Sequence, residues 1–304
     1  MRVPGSITPS TVRPTIPVAA PVTPLLSPTA PAARAQAPLP SGGTLAQRTP
    51  PPASARSLFD LRVQGAQPAR ELAPPDGNTF CQAALADIRR RVASGEKCSV
   101  VFDLDNTLFD ARFRTLEVAR AYDAANGTRH FSGLTPDLVG LDGTETCKRL
   151  GLPEDVAAAF QKHWNVEFWN GHTMKFDTPI PSMVKLAHEA KAAGADVVYL
   201  TGRIEKLAPH SLAQLVRAGL PDATADHLFS KPDLKSRTGE YKAAQLDVWQ
   251  AAGVHIGFFV TEGRRDIGTI QKTNPDVPCV LLRCSLEPLD HAINPDTPQF
   301  PPEY

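Results

Sequence analysis

The chain has 304 residues, 42% of them hydrophobic and 21% charged, with a formal net charge of zero. That balance is ordinary for a globular enzyme and leaves room for one large domain or two small ones. No apolar run reaches the roughly 18 residues needed to span a bilayer, and no basic patch of the kind that tracks a nucleic-acid backbone stands out in the globular part. The expected ligand is a small metabolite, and nucleic acid and membrane are not expected partners.

The first 75 residues form a regime of their own. They hold 16 of the 30 prolines, seven arginines and no lysine, and their only acids are Asp60 and Glu71. Proline removes backbone donors and breaks both helices and ladders, so a disordered Pro/Ala-rich leader is expected over residues 1–75. Prolines also interrupt Ile16 to Val22, where a signal peptide would need its apolar core. A cytoplasmic setting is therefore expected. The acid-poor, Arg-containing composition keeps a targeting or secretion leader as the alternative. Five scattered cysteines form no CxxC or Cys/His cluster and fit reduced thiols.

Ordered structure is expected from residue 76 to 304. Ala84, Leu85, Ile88 and Val92 fall at helical spacing, and Gly95 provides a stop. Cys98 to Leu104 then reads as a buried parallel strand that ends in acids. Leu108 to Pro179 is mostly helical in pattern and reads as an insertion. Beyond it strands and helices alternate: strands at Asp196 to Leu200, His227 to Ser230, His255 to Val260 and Pro278 to Arg283, with helices between them. Such alternation predicts an α/β fold, a doubly wound Rossmann-like parallel sheet with helices on both faces.

Four strand ends carry the chemistry. The first, Asp103-Leu104-Asp105, places two carboxylates two residues apart, and neighbouring carboxylates shift each other's pKa so that one attacks while the other moves a proton. An isolated DxD is also an ordinary turn or helix cap, and the later motifs are what favour the catalytic reading. Thr201-Gly202-Arg203 offers a hydroxyl and backbone N–H groups as a phosphate cradle at a helix N-terminus. Lys242 opens a helix, and Glu262 and Asp266 follow a strand, where carboxylates suit a hard cation such as Mg²⁺.

In this order and spacing the motifs resemble those of the haloacid dehalogenase-like superfamily of hydrolases, over about residues 78–290. The resemblance implies a Mg²⁺-dependent phosphatase working through an aspartyl-phosphate. Asp103 would be the nucleophile, Asp105 the acid/base, Thr201 the phosphoryl-binding hydroxyl and Lys242 the stabilising amine. The metal would sit on Asp103, the backbone carbonyl of Asp105, and Glu262 with Asp266. Lys231 and Lys235 compete for the lysine position, and Lys242 is preferred because it opens the helix preceding the last motif strand. Glu262 stands where the family commonly has aspartate, which leaves open whether it or Asp266 binds the metal directly.

The acid at 105 separates a phosphatase from a dehalogenase in that family. The insertion at about 108–179 falls where the family carries a helical cap. Within it Trp164 and Phe168, one helical turn apart, are expected to pack the insertion's own core, leaving Trp169, Asn170 and His172 freer. Arg203, Arg264 and Arg265 read as surface or supporting ion pairs. The expected activity is hydrolysis of a small phosphorylated metabolite. The alternatives are a nucleic-acid end phosphatase and an impaired domain serving as an interaction protein.

Overall fold

The computed structural model describes residues 73–284, 286 and 291–302. Apart from residues 73–75, the leader expected over 1–75 lies outside them. Helix α1 (Gly77–Ala93) starts where the Asp76 carboxylate accepts the Thr79 N–H at 2.7 Å, an N-cap that satisfies one orphan donor of the first turn. It buries Cys81, Leu85 and Ile88 against the sheet.

Strand β1 (Cys98–Phe102) is buried along its whole length. The chain then leaves the sheet through β2 (Phe109–Asp110), passes through α2 (Arg112–Asn126), α3 (Gly143–Arg149) and α4 (Glu154–Glu167), and returns through β3 (Thr178–Pro179). Strands β2 and β3 pair antiparallel, so both ends of the insertion stand on one two-stranded stem. The remaining elements are α5 (Pro181–Ala192), β4 (Asp196–Ile204), α6 (Ala208–Arg217), β5 (Leu228–Lys231), α7 (Thr238–Ala251), β6 (His255–Thr261), α8 (Arg264–Thr273), β7 (Cys279–Leu282) and β8 (Gln299–Phe300).

Six of the strands form one sheet in the order β5-β4-β1-β6-β7-β8, with every neighbouring pair parallel. Successive side chains of a strand point to opposite faces. Val100 and Phe102 accordingly join Leu85, Ile88, Met183 and Leu186 of α1 and α5 on one face. Val101 joins Leu246, Ile267 and Ile270 of α7 and α8 on the other. With both faces covered, the central strands carry the near-continuous apolar runs that mark buried parallel sheets. Gly257, where β6 shifts register against β1, is required by packing: a Cβ there would come within 2.5 Å of the Ile88 side chain.

The expected doubly wound sheet is present, with two differences of extent. Strand β4 does not end at Leu200 but runs to Ile204, because its ladder with β5 continues through Thr201↔Ser230 and Ile204↔Lys231. Strand β8 has no counterpart in the sequence reading. It is two residues long and lies in a proline-containing stretch, too short for any periodicity to announce it.

The insertion has a core of its own, in which the Phe131 and Phe160 rings lie 4.2 Å apart and Trp164 stacks on Phe168 at 4.2 Å. Trp164 and Phe168 therefore pack as expected. Among the described residues no helix is long and apolar enough to cross a membrane.

Cys81, Cys98, Cys147 and Cys279 are buried and Cys284 is half-buried. Burial pushes the Cys81 and Cys279 thiols up to about 12 and the Cys147 thiol up to about 11. At pH 8 a thiol near 12 is thiolate only about once in 10⁴ molecules, and the thiolate is the reactive form. Titration of the native chain with a disulfide reagent at pH 8 should label Cys284 fast and the other four only after unfolding in urea. Rapid labelling of three or more thiols in the native state would contradict this burial.

Candidate active site

Strand β1 delivers its acids to the carboxyl edge of the sheet. The Asp103 N–H still donates to the Val260 carbonyl of β6 at 3.0 Å, and the ladder ends there. The Leu104 carbonyl then accepts from the N–H groups of Thr107, Leu108 and Phe109. This reversal needs a left-handed residue, supplied by Asn106 at φ 54, one of the residue types that tolerate αL. The neighbours of β1 in the sheet, β4 and β6, diverge on either side of it, so Asp103 and Asp105 open at the topological switch point where α/β sheets place their ligands.

Asp103 is held on both oxygens. Its Oδ1 accepts the Leu104 N–H at 2.7 Å, and its Oδ2 accepts from Lys242 Nζ at 2.6 Å and Thr261 Oγ1 at 3.0 Å. Lys242 is buried, one turn into α7, and its ammonium also donates to Asp266 Oδ2 of α8 at 2.7 Å. Burial alone would discharge that amine, but Asp103 and Asp266 outweigh it and hold the Lys242 pKa above its ordinary value. For Asp103 the balance runs the other way. Burial and the Asp266 carboxylate raise it more than Lys242 lowers it. Glu262 lies alongside, its Oε2 accepting from Thr107 Oγ1 at 2.8 Å and from Thr261 Oγ1 at 3.3 Å.

Asp105 occupies a different environment. Arg203 grips it with two bonds, Nε to Oδ2 at 3.0 Å and NH2 to Oδ1 at 2.7 Å, and Arg114 NH2 adds a third to Oδ1 at 2.7 Å. Burial would raise its pKa, yet the two guanidinium groups outweigh burial and hold the carboxyl well below the usual carboxylate range. Both arginines are fully buried. Arg114 comes from α2 of the insertion and pairs with Asp177 through Nε at 2.8 Å and through NH2. Gln214 of α6 closes the network, accepting from Arg203 NH1 at 2.7 Å and donating to Asp177 Oδ2 at 2.8 Å. Asp105 is thus a fixed carboxylate at the point where the insertion meets the sheet.

Of the residues named from sequence, Asp103, Lys242, Glu262 and Asp266 come together as one cluster, and Asp105 stands beside it. Thr201 differs from its expected setting. Because β4 continues to Ile204 and α6 begins only at Ala208, Thr201 lies within a strand and not at a helix N-terminus. Its buried hydroxyl accepts the Arg203 N–H at 3.2 Å. Gly202, not Thr201, lines the cavity above the site, which has a volume of about 880 Å³ and also takes in Asp103, Asp105, Leu141, Trp169, Lys231 and Lys242.

The structure selects Lys242 over its two competitors as the partner of Asp103. Lys235 sits in an exposed loop, and Lys231 lines the cavity one strand beyond β4. Of the two settings expected for Arg203, surface or supporting ion pair, the structure shows the second, a buried pair with Asp105. Arg114 and Asp177 were missed altogether, because an arginine in an ordinary helical pattern carries no mark of the buried acid it will meet 63 residues later. A cue was present only for Arg203, directly after Thr201-Gly202.

Whether this cluster suits a divalent cation can be judged from its donors. Asp103, Glu262 and Asp266 offer hard carboxylate oxygens around a single ammonium, and the raised Asp103 is the mark of surplus negative charge packed into a dry site. The donor set fits Mg²⁺.

The family profile of the haloacid dehalogenase superfamily, subfamily IIIB (acid phosphatase), matches residues 154–275. That stretch contains Arg203, Lys242, Glu262 and Asp266. No curated protein matches the chain. Among solved structures it is similar to one from Bacteroides fragilis described as a haloacid dehalogenase-like hydrolase, at 18% identity and TM-score 0.42, covering 62% of this chain and 88% of that one. A structure from Clostridium difficile described as a phosphatase follows at 15% identity and TM-score 0.47, covering 62% and 85%. The class C acid phosphatase of Bacillus anthracis with tungstate bound matches at 15% identity and TM-score 0.34, covering 60% and 61%.

Removing Arg114 would leave Asp177, fully buried, with half its partners. Breaking a buried ion pair from one side costs about 3–5 kcal/mol, whereas replacing both partners by apolar groups costs far less. Urea unfolding should therefore show Arg114→Met destabilised by that amount and the double variant Arg114→Met/Asp177→Leu recovering at least half of it. Additive losses would mean that the two are not coupled.

Proposed function

We propose that the chain is a phosphoric monoester hydrolase of the haloacid dehalogenase superfamily, whose subfamily IIIB profile matches residues 154–275, and within it a Mg²⁺-dependent phosphatase of small phosphorylated metabolites with Asp103 as its nucleophile. The observation that carries this reading is the shared hydrogen bonding of one buried ammonium, Lys242, to Asp103 and Asp266 at the switch point of the sheet. The ionised form of Asp103, its Oδ2 bonded to Lys242, attacks phosphorus, the ester P–O bond breaks, and the leaving oxygen takes a proton. Water then attacks the aspartyl-phosphate, gives up its proton, and the P–Oδ bond breaks to release phosphate.

Asp103, the Asp105 carbonyl, Glu262 and Asp266 are the residues that would hold Mg²⁺, which when bound neutralises phosphoryl charge. Lys242 screens the anionic phosphoryl group as it approaches Asp103. Thr261 fixes the orientation of the nucleophile, and Thr201 supports the wall formed by Gly202.

Asp105 fits the hydrolytic half directly, since a carboxylate held ionised can accept the proton of the attacking water. Protonating an alkoxide in the first half requires it to leave the clamp of Arg114 and Arg203. Arg114 belongs to the insertion, so a movement of the insertion, acting as a cap that excludes water, would remove one of the three bonds on Asp105 and leave those of Arg203 to be broken.

Leaving groups separate these roles. Nitrophenolate departs without a proton and an alkoxide does not. Asp103→Asn should abolish hydrolysis of both p-nitrophenyl phosphate and glycerol 3-phosphate. In Asp105→Asn the first half should slow about 10²–10⁴-fold for glycerol 3-phosphate and far less for the aryl ester, read as a retained burst of nitrophenolate, while the shared hydrolytic half slows equally for both. Full activity of Asp103→Asn would rule out the nucleophile. Mg²⁺ should also raise the melting temperature of the native chain, and chelation should reverse the shift.

A further inference from the structure

Among the described residues Lys231 is a buried ammonium with no direct salt bridge; Asp233 and Asp266 act on it only from beyond contact distance. The residue is only 7% exposed, ends β5 and lines the cavity. Its single hydrogen bond is a long one, 3.5 Å to Thr238 Oγ1. Among the described residues no carboxylate lies within salt-bridge distance of it, whereas the still more deeply buried Lys242 has two. Burying an unpaired charge is costly, so a lysine kept in such a place calls for an anion from outside the protein.

The same corner offers two more groups that favour anions. Helix α7 is 14 residues long, starts at Thr238, and no side chain caps its amino end. Its free N–H groups and dipole therefore present partial positive charge to the cavity, which Thr238 and Gly239 also line. The approach of this helix end is close by construction: a Cβ on Gly202 would come within 2.8 Å of the Thr238 methyl group. Strand β5 lies two places from β1 in the sheet, with β4 between them. At the usual strand spacing its backbone is about 10 Å from that of Asp103. A phosphoryl group on Asp103 is served by Lys242, so the corner at Lys231 is a separate place.

We propose that Lys231, Thr238 and the amino end of α7 form a second anion subsite, and that the substrates are phosphomonoesters carrying a further anionic group, a carboxylate or a second phosphate. This rests on the phosphatase reading above and narrows its substrate class. The phosphoryl group to be cleaved lies over Asp103 while the second anion is held at Lys231. The rest of the molecule spans the cavity beneath Leu141 and Trp169.

Matched esters test it on the full chain. Glycerol 3-phosphate and 3-phosphoglycerate differ in a carboxylate, and fructose 6-phosphate and fructose 1,6-bisphosphate in a phosphate. The wild-type enzyme should favour the doubly anionic member of at least one pair by tenfold or more in kcat/KM, and the pair that responds identifies the second anion. Lys231→Met should collapse that ratio to within about twofold, Lys231→Arg should restore most of it, and Thr238→Val should lower it in part. Dissociation constants on Asp103→Asn, which cannot turn over, should show the same ratios. Discrimination in binding without any turnover would uphold the subsite and overturn the phosphatase reading. A wild-type ratio near one in both pairs overturns the subsite, as does a Lys231→Met loss that is equal for both members of a pair, or a ratio unmoved by both Lys231→Met and Thr238→Val.

Discussion

The contact on which the rest of this site depends is the buried ammonium of Lys242 between Asp103 and Asp266. A lone amine at that depth would shed its proton, and two carboxylates at that distance would repel each other. Together the three satisfy one another and tie β1, α7 and α8 into one unit. The cluster keeps more carboxylates than ammonium groups, and this surplus sets it apart from a closed structural ion pair and suits a cation. Thr261 and Thr107 add neutral hydroxyl donors, which orient Asp103 and Glu262 without changing that balance.

Beside this cluster the Asp105 environment solves a different problem. Two fully buried guanidinium groups meet Asp105 and Asp177, so charge is nearly matched, and the guanidinium groups keep Asp105 ionised. One of the arginines stands on the insertion and the other on β4. The Asp105 carboxylate is thereby tied to both the insertion and the sheet. The aromatic packing of the insertion, from Phe131 to Phe168, gives Arg114 a rigid base, and its guanidinium lies over the Phe168 ring at 4.3 Å. Lys231 is the counterexample in the same cavity, a buried lysine with no direct salt bridge among the described residues.

Much of the frame was legible in the sequence because it rests on local pattern. Apolar runs of four or five residues separated by amphipathic helices specify buried parallel strands, and the acids after Phe102 and Thr261 stand out because a carboxylate closing an apolar strand has little to do in a core. Asp103, Lys242, Glu262 and Asp266 were accordingly named from order and spacing, with Lys231 and Lys235 left as competitors for the lysine. The extent of β4 was not, since whether Thr201 to Ile204 extends or turns depends on β5 lying alongside to continue the ladder.

By itself, then, the sequence determined the layer architecture, the place of the insertion, and the identity of the groups at the strand ends, because periodicity and residue chemistry act within a few positions. Tertiary structure alone decided which of three lysines meets Asp103, that Arg203 is buried and not a surface charge, and that Arg114 and Asp177 meet across 63 residues. It also decided that Lys231 has no direct salt bridge among the described residues. Each of these turns on long-range charge pairing in a dry interior. Pairing of that kind depends on where backbones lie in space, and residue spacing along the chain does not encode it.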